Sequence, residues 1–370
     1  EPEAVTLFCA RARAEPDETV RTLCRALDNL PLALELAAAR AGVLSPRQIL
    51  GRLSRRLDLL KGGRDADPRQ QTLRATIAWS YELLPREEQI LFARLSVFAG
   101  GCTLESAEEV TEADLDTLQS LVDKSLLRHT DERFWMLKTI REYGAERLEE
   151  SEKAEEVRRR HAEHFLALAE AAEPHLRRDS LEWANLLERE HDNLRAALDR
   201  LEGSGDSERA LRLAGAVSRF WYLKSHMAEG RRRLEGVLRV DERPTAARAK
   251  ALNGATAMAF NVGDLSAARL RAEEALALHR TLGEAWGTAN SVLLLGNVAA
   301  EERDFAGARQ LFSLPGCATN SATSNAPEPC TRTTSVGRAR WATSAWRRRR
   351  WVHWRSTPSA RAGSPMPSRC

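Results

Sequence analysis

Gly263–Leu278, GDLSAARLRAEEALAL, and Arg303–Phe312, RDFAGARQLF, decide how this chain is read. At an offset of 40, Asp264 falls on Asp304, Ala268 on Ala308 and Arg269 on Arg309. A fixed period of this size marks stacked helical hairpins, each burying its apolar face only against its neighbours. Small residues let the paired helices approach closely. From about Val157 onward the chain reads as a series of such helices. The rest of the body is also helical in pattern: Leu, Ala, Glu and Arg dominate, and apolar residues recur at spacings of three and four, as at Leu27, Leu30 and Leu34. The expected fold class is mainly α.

Past Phe312 the repeat fails. The register that supplies Glu273, Glu274, Ala275 and Leu276 in the first copy gives Ser313, Leu314, Pro315 and Gly316 in the second. A proline there costs a helix about 3 kcal/mol. In the 58 residues that follow Phe312, Leu, Ile, Val and Phe together number three, beside ten Arg and a single acid, Glu328. Such a segment cannot bury enough apolar area to offset its ordering entropy, so residues 313–370 are expected to be disordered. The abrupt loss of Lys, Glu, Leu and Ile, in mid-helix, is also what reading a GC-rich coding sequence out of frame produces. Two functional readings of WATSAWRRRRWVHW stand beside that one, a nucleic-acid arm and a membrane-surface segment.

The overall net charge of +3 averages two unlike parts. The tail carries +9 and the body −6, so the charge of the body gives no support for a nucleic-acid footprint. With 370 residues and 43% hydrophobic content, the chain has room for two or three domains with real cores. The longest uncharged stretch, Ala285–Ala300, is too short and too polar to span a bilayer. The opening EPEAVTLF has neither the basic nor the apolar region of a secretory signal, and the chain is expected to start inside a longer protein. Six scattered cysteines without a CxxC pair fit a reducing cytoplasm.

Catalytic motifs are missing. No GxxxxGK[ST] phosphate loop, no apolar strand ending in paired acids and no GxSxG occurs. The chain alone is therefore not expected to be an enzyme or to hold a nucleotide cofactor. His161 and His164, three apart in RRHAEHF, could ligate a metal, but no HExxH or further ligand accompanies them. The EHDN at Glu190–Asn193 suits a turn or a helix contact at least as well as a metal. No metal site is expected.

GGRDADP, from Gly62 to Pro68, reads as a loop between two modules, with a boundary near residue 65. The second module runs from about Gln70 to Glu150, with breaks at Gly100-Gly101 and at His129–Arg133, where a short hairpin fits. Three segments in this region carry a resemblance: LDNLPLALELAAAR at Leu27–Arg40, QTLRATIAWSYELLPREEQILFARLSVFAGG at Gln71–Gly101, and SLVDKSLL followed by RFWMLKTIREYGAERL. Together they resemble the NB-ARC class of STAND ATPases, in particular bacterial transcriptional regulators of the AfsR and LuxR-like type that end in tetratricopeptide-like repeats. The resemblance covers about residues 1–312. It implies a helical subdomain at 1–64 following an ATPase core absent from this chain, a winged-helix subdomain at 65–152, and tetratricopeptide-like repeats at 153–312.

The resemblance also implies roles. Pro31 would take the place of the family's GLPLA proline, which packs against adenine, while Asn29 stands where glycine is usual. Physically, Pro31 equally suits the first turn of a helix, where a missing N–H costs nothing. The family's phosphate-sensing MHD motif would fall on Met136-Leu137-Lys138. Leu137 cannot hydrogen-bond a β-phosphate, so the usual ADP latch is altered or missing; Lys138 favours an anion or is simply an exposed wing lysine. The implied parent is a nucleotide switch. ADP would lock the core against the winged helix, a signal to the repeats would loosen it, and ATP would favour an open, often oligomeric state. Implied partners are the upstream nucleotide-binding core and a protein or small ligand of the repeats, with DNA reached only through a parent effector domain. Two alternatives remain: a repeat scaffold without switching, and a DNA-binding protein using the winged helix or the arginine tail. No Arg- and Lys-rich recognition helix occurs between Gln70 and Gly100.

Overall fold

The structure, a computed structural model, describes residues 2–27, 29–52 and 68–314, with the side chains of 68–72 excepted. The loop expected near residue 65 and nearly all of the 313–370 tail lie outside the described residues.

The described chain is almost entirely helical. Helices α1 (Pro2–Ala12), α2 (Glu18–Ala26) and α3 (Pro31–Ala38) form an N-terminal group around Phe8, Leu23, Leu27 and Leu34, all fully buried. Asp17 opens α2 by accepting the Val20 N–H at 2.7 Å, which satisfies one of the donors a helix start leaves unpaired. Helix α4 (Pro68–Glu82) packs on α3, and the two exchange side chains. Trp79 of α4 joins the N-terminal cluster, whereas Leu36 of α3 joins the core of the next group.

That next group holds α5 (Arg86–Leu95), α6 (Leu104–Thr111), α7 (Leu115–Asp123), an antiparallel pair β1 (Arg128–Thr130) and β2 (Arg133–Trp135), and α8 (Lys138–Glu149). The strands pair Arg128 with Trp135 and Thr130 with Arg133, so the hairpin turns at Asp131-Glu132, both at positive φ. This is where the sequence placed a hairpin. Phe134 points inward from β2, and Tyr81, Phe92 and Tyr143 form an aromatic cluster with ring centroids 5.5–6.5 Å apart.

The remainder is a stack: α9 (Ala154–Leu176), α10 (Leu181–Arg189), α11 (His191–Gly203), α12 (Ser207–Leu223), α13 (Met227–Val240), α14 (Ala246–Asn261), α15 (Leu265–Leu282), α16 (Ala285–Glu301) and α17 (Phe305–Phe312). Successive pairs from α12 to α17 pack on one another, and α12 also lies against α14. The 40-residue period has a physical basis. Asp264 and Asp304 both cap helices, accepting the N–H of Ala267 at 3.1 Å and of Gly307 at 2.9 Å. Gly263 and Arg303, one residue earlier, both take left-handed φ, 83° and 67°. Ala268 and Ala308 are buried where the hairpins meet, and Arg269 reaches back to Glu302. One hydrophobic cluster runs without a break from Leu36 to Ala275, joining the wing-bearing group to the stack.

Candidate functional site

Asn193 is fully buried on α11 and reads the backbone of the turn that follows α5. Its Oδ1 accepts the N–H of Ala99 at 2.9 Å and of Gly100 at 3.4 Å, while its Nδ2 donates to the Gly101 carbonyl and to Glu190 Oε2, each at 2.8 Å. One side chain thus uses nearly all of its hydrogen-bonding capacity across a span of more than ninety residues of sequence. Arg133 of β2 completes the arrangement. Its guanidinium donates to the Gly100 and Gly101 carbonyls at 3.2 and 3.0 Å and forks onto the Glu190 carboxylate. Arg133 and Glu190 are 16% and 7% exposed, so this pair is largely withdrawn from water.

Gly101 is required at the centre. Its φ is +75°, and a Cβ there would stand 2.6 Å from the Phe134 carbonyl and 2.8 Å from the Trp135 Cβ. Cys102 and Phe134 exchange two backbone hydrogen bonds of 2.8 Å, so the turn lies along β2 like a third short strand. The wing and the repeat stack therefore meet in one polar knot.

Electrostatics fit a fixed joint. Burial works against the Arg133 charge, but hydrogen bonding to Glu190 and its attraction outweigh that and hold the guanidinium firmly protonated. Burial pushes the Cys102 thiol up to about 12, which makes it inert. His161 packs between Phe98 and Phe165, at centroid distances of 5.5 and 4.7 Å, with its Nε2 3.5 Å from Asn193 Oδ1. Burial pushes it down to about 4, against the Asn193 contact, so it is neutral at neutral pH. Beside the knot, Glu112 at the end of α6 takes both Arg94 of α5, at 2.7 Å, and Arg160 of α9, at 2.8 Å.

The structure separates the two histidines named from the sequence. His161 faces the aromatic pocket, while His164 bonds Ser106 at 3.1 Å and Glu109 at 2.9 Å through its two nitrogens. Within the EHDN segment, Glu190 and Asn193 form the knot itself. Pro31 is exposed and occupies the first turn of α3. Asn29 has φ +54°, the left-handed conformation that glycine adopts without cost and asparagine tolerates. Two links join α3 to the winged group: Arg128 donates to Glu35 at 2.5 Å, and the buried Arg40 donates to the Ser80 carbonyl at 2.8 Å. Of the Met136-Leu137-Lys138 triplet, Met136 and Leu137 pack against the core, and Lys138 is 83% exposed at the start of α8.

The helix that directly precedes the wing is α7, at Leu115–Asp123, beyond the Gln70–Gly100 stretch. It is not basic either. From Leu104 to Lys124 there are seven acidic residues, all exposed, and one lysine, which is bound to Glu88 at 2.5 Å. The signal that could have found α7 was its distance from the hairpin rather than its charge.

Residues 84–149 match the winged helix-turn-helix domain family. The chain is homologous to HTH-type regulators: it is 37% identical over 313 residues to the Mycobacterium tuberculosis protein named "Putative HTH-type transcriptional regulator Rv0890c", covering 76% of this chain and 35% of that protein. It is 39% identical over 186 residues to "Uncharacterized protein Rv0894" of the same organism, covering 44% of this chain and 47% of that protein. The chain thus spans about a third to a half of the curated relatives it matches. Among solved structures, a STAND protein with a tetratricopeptide repeat sensor from Pyrococcus horikoshii superposes with a TM-score of 0.38 at 15% identity, over 87% of this chain and 53% of that one. The described chain is a mainly helical protein with a winged helix-turn-helix domain, homologous over most of its length to proteins named as HTH-type transcriptional regulators.

Proposed function

We propose that this chain is the regulatory part of a nucleotide-switched transcriptional regulator of the STAND type. In this reading its winged helix docks inside the protein rather than reading DNA, and the repeat stack offers the sensor or partner surface. ATP or ADP binds an ATPase core elsewhere in the longer protein, so the chain itself contributes no catalytic group. Pro31 and the neighbouring α3 face touch the adenine side of that core. Its exposed position at a helix start supports this role.

The observation that carries the reading is the charge of α6 and α7. A duplex presents a phosphate charge about every 1.7 Å along its axis, and binding it requires cations on the approaching face. The exposed Glu105 and Glu108 of α6 and Asp116 and Asp123 of α7 would repel it. The test is fluorescence anisotropy of labelled duplexes with the full chain at physiological salt. Any binding through the arginine-rich tail is salt-steep and indifferent to sequence, and Gln119→Ala on the exposed face of α7 leaves it unchanged. A sequence preference that Gln119→Ala abolishes refutes the reading.

A second reading, a repeat scaffold without switching, is favoured by Leu137, which packs in the core where a phosphate-sensing histidine would stand. Titration of labelled ADP into the product of the whole gene separates the two. Saturable binding weakened by Pro31→Ala supports the switch, and absence of binding supports the scaffold.

A further inference from the structure

Glu188 at the end of α10, His191 at the start of α11 and His226 at the start of α13 each offer a ligand atom, and these atoms lie within 4.8 Å of one another. Among the described residues this is the group of histidine and carboxylate side chains close enough to share an ion. His226 Nε2 is 3.1 Å from both oxygens of Glu188, close to the roughly 3.3 Å that separates two ligands of a tetrahedral zinc ion with bonds of about 2.0 Å. The His191 and His226 rings lie side by side, with centroids 4.4 Å apart.

The state of His191 points to a ligand. Its side chain is 8% exposed, and its Nε2 makes no hydrogen bond, although Glu229 Oε2 stands 3.4 Å away. A buried imidazole nitrogen without a partner costs about 1–3 kcal/mol, and structures rarely leave one so. Glu229 is already engaged. Arg195 grips both its oxygens, at 2.7 and 2.5 Å, and Asp192 takes Arg195 at 3.0 Å, so the nearby guanidinium charge is offset by two carboxylates. Phe220 packs edge-on against His191 and fixes its ring.

We propose that Glu188, His191 and His226 form a binding site for a divalent transition cation of the zinc class, with a water completing the shell. Two imidazoles and one carboxylate suit such a cation, and soft thiolate-seeking ions are disfavoured. The three ligands come from three helices, so the ion ties α10 and α11 to α13. Glu190 and Asn193 lie between and beside the ligands, and occupancy of the site stiffens the wing–repeat knot.

The full chain, stripped with a chelator, is titrated with Zn²⁺ by calorimetry and with Co²⁺ by absorption, because its six cysteines could bind metal elsewhere. The expected result is one equivalent of Zn²⁺ bound, with affinity at least tenfold weaker in His226→Gln and in Glu188→Gln while far-ultraviolet circular dichroism is unchanged. The matching Co²⁺ equivalent shows ligand-field bands without thiolate charge transfer. If a variant does not fold, the Co²⁺ spectrum of the unaltered chain decides. Variants that bind as tightly as the unaltered chain, Co²⁺ bound only through thiolates, or no binding at all overturns the proposal.

Discussion

Replacing Asn193 by alanine isolates what the knot contributes. Five contacts disappear, but they are not equal. The Gly101 carbonyl and Glu190 both keep Arg133, at 3.0 and 3.1 Å, and the Gly100 N–H was held only loosely at 3.4 Å. The groups left without a partner are the Ala99 N–H, bound at 2.9 Å in the native chain, and the more loosely held His161 Nε2, at 3.5 Å. An orphaned buried donor costs about 1–3 kcal/mol, and the missing side chain leaves a small void that adds about 1 kcal/mol. The expected loss is therefore about 2–4 kcal/mol, local to the joint. Asn193→Asp keeps the shape but turns the donor into a second carboxylate oxygen facing the Gly101 carbonyl and Glu190, and loses at least as much at neutral pH. Because the chain contains several packed groups, a single unfolding midpoint would blur the effect. Hydrogen exchange at Ala99, Gly100 and Cys102 reads it directly, alongside urea unfolding followed by tryptophan fluorescence. A change under about 0.5 kcal/mol in Asn193→Ala, with exchange at Ala99 unaltered, refutes the assignment of Asn193 as the residue that couples wing and repeats.

Three further outcomes follow. His161, held near 4 against an ordinary 6.5, stays neutral when folded while the unfolded chain takes up a proton; its contribution is intact above about pH 6.5 and is lost as pH falls toward 4, by up to about 3 kcal/mol. In stability measured against pH, His161→Leu has a shallower slope over that window, and equal slopes count against the buried neutral histidine. Gly101→Ala, strained by its φ of +75° and blocked by Phe134 and Trp135, loses more than about 1 kcal/mol and detaches the turn from β2, read as faster exchange at Cys102. Lys124→Met leaves the Glu88 carboxylate, 12% exposed, with the Ser120 hydroxyl at 2.8 Å and the nearby Arg40 charge in place of its ammonium partner, and costs about 3 kcal/mol in urea unfolding. Adding Glu88→Gln recovers most of that, and failure to recover places the loss elsewhere.

Local rules made much of the architecture legible. The 40-residue period was visible because Asp264 and Asp304 cap equivalent helices and Ala268 and Ala308 fill equivalent contacts, and capping and packing at fixed spacing leave a trace in one chain. The hairpin at 128–135 was visible because charged turn residues sit between apolar ones. The knot was not visible. Asn193 meets Ala99 and Arg133 meets Glu190 only after α9 folds between them, so no local pattern records the pairing. His226 likewise lies 35 residues beyond His191, so the EHDN segment that holds His191 carries no local sign of its partners. Helices α6 and α7 are only eight and nine residues long, too short for a clear apolar period to mark the helix ahead of the wing.

In the proposed switch, the winged helix is a nucleotide-dependent clamp. Hydrogen exchange of residues 86–149 in the product of the whole gene, with and without saturating ADP, tests it most directly. A clamp is expected to show slower exchange in α7 and in the wing at 128–135 when ADP is bound, and Pro31→Ala is expected to require more ADP for the same protection. Bound ADP that leaves exchange throughout 86–149 unchanged would contradict it.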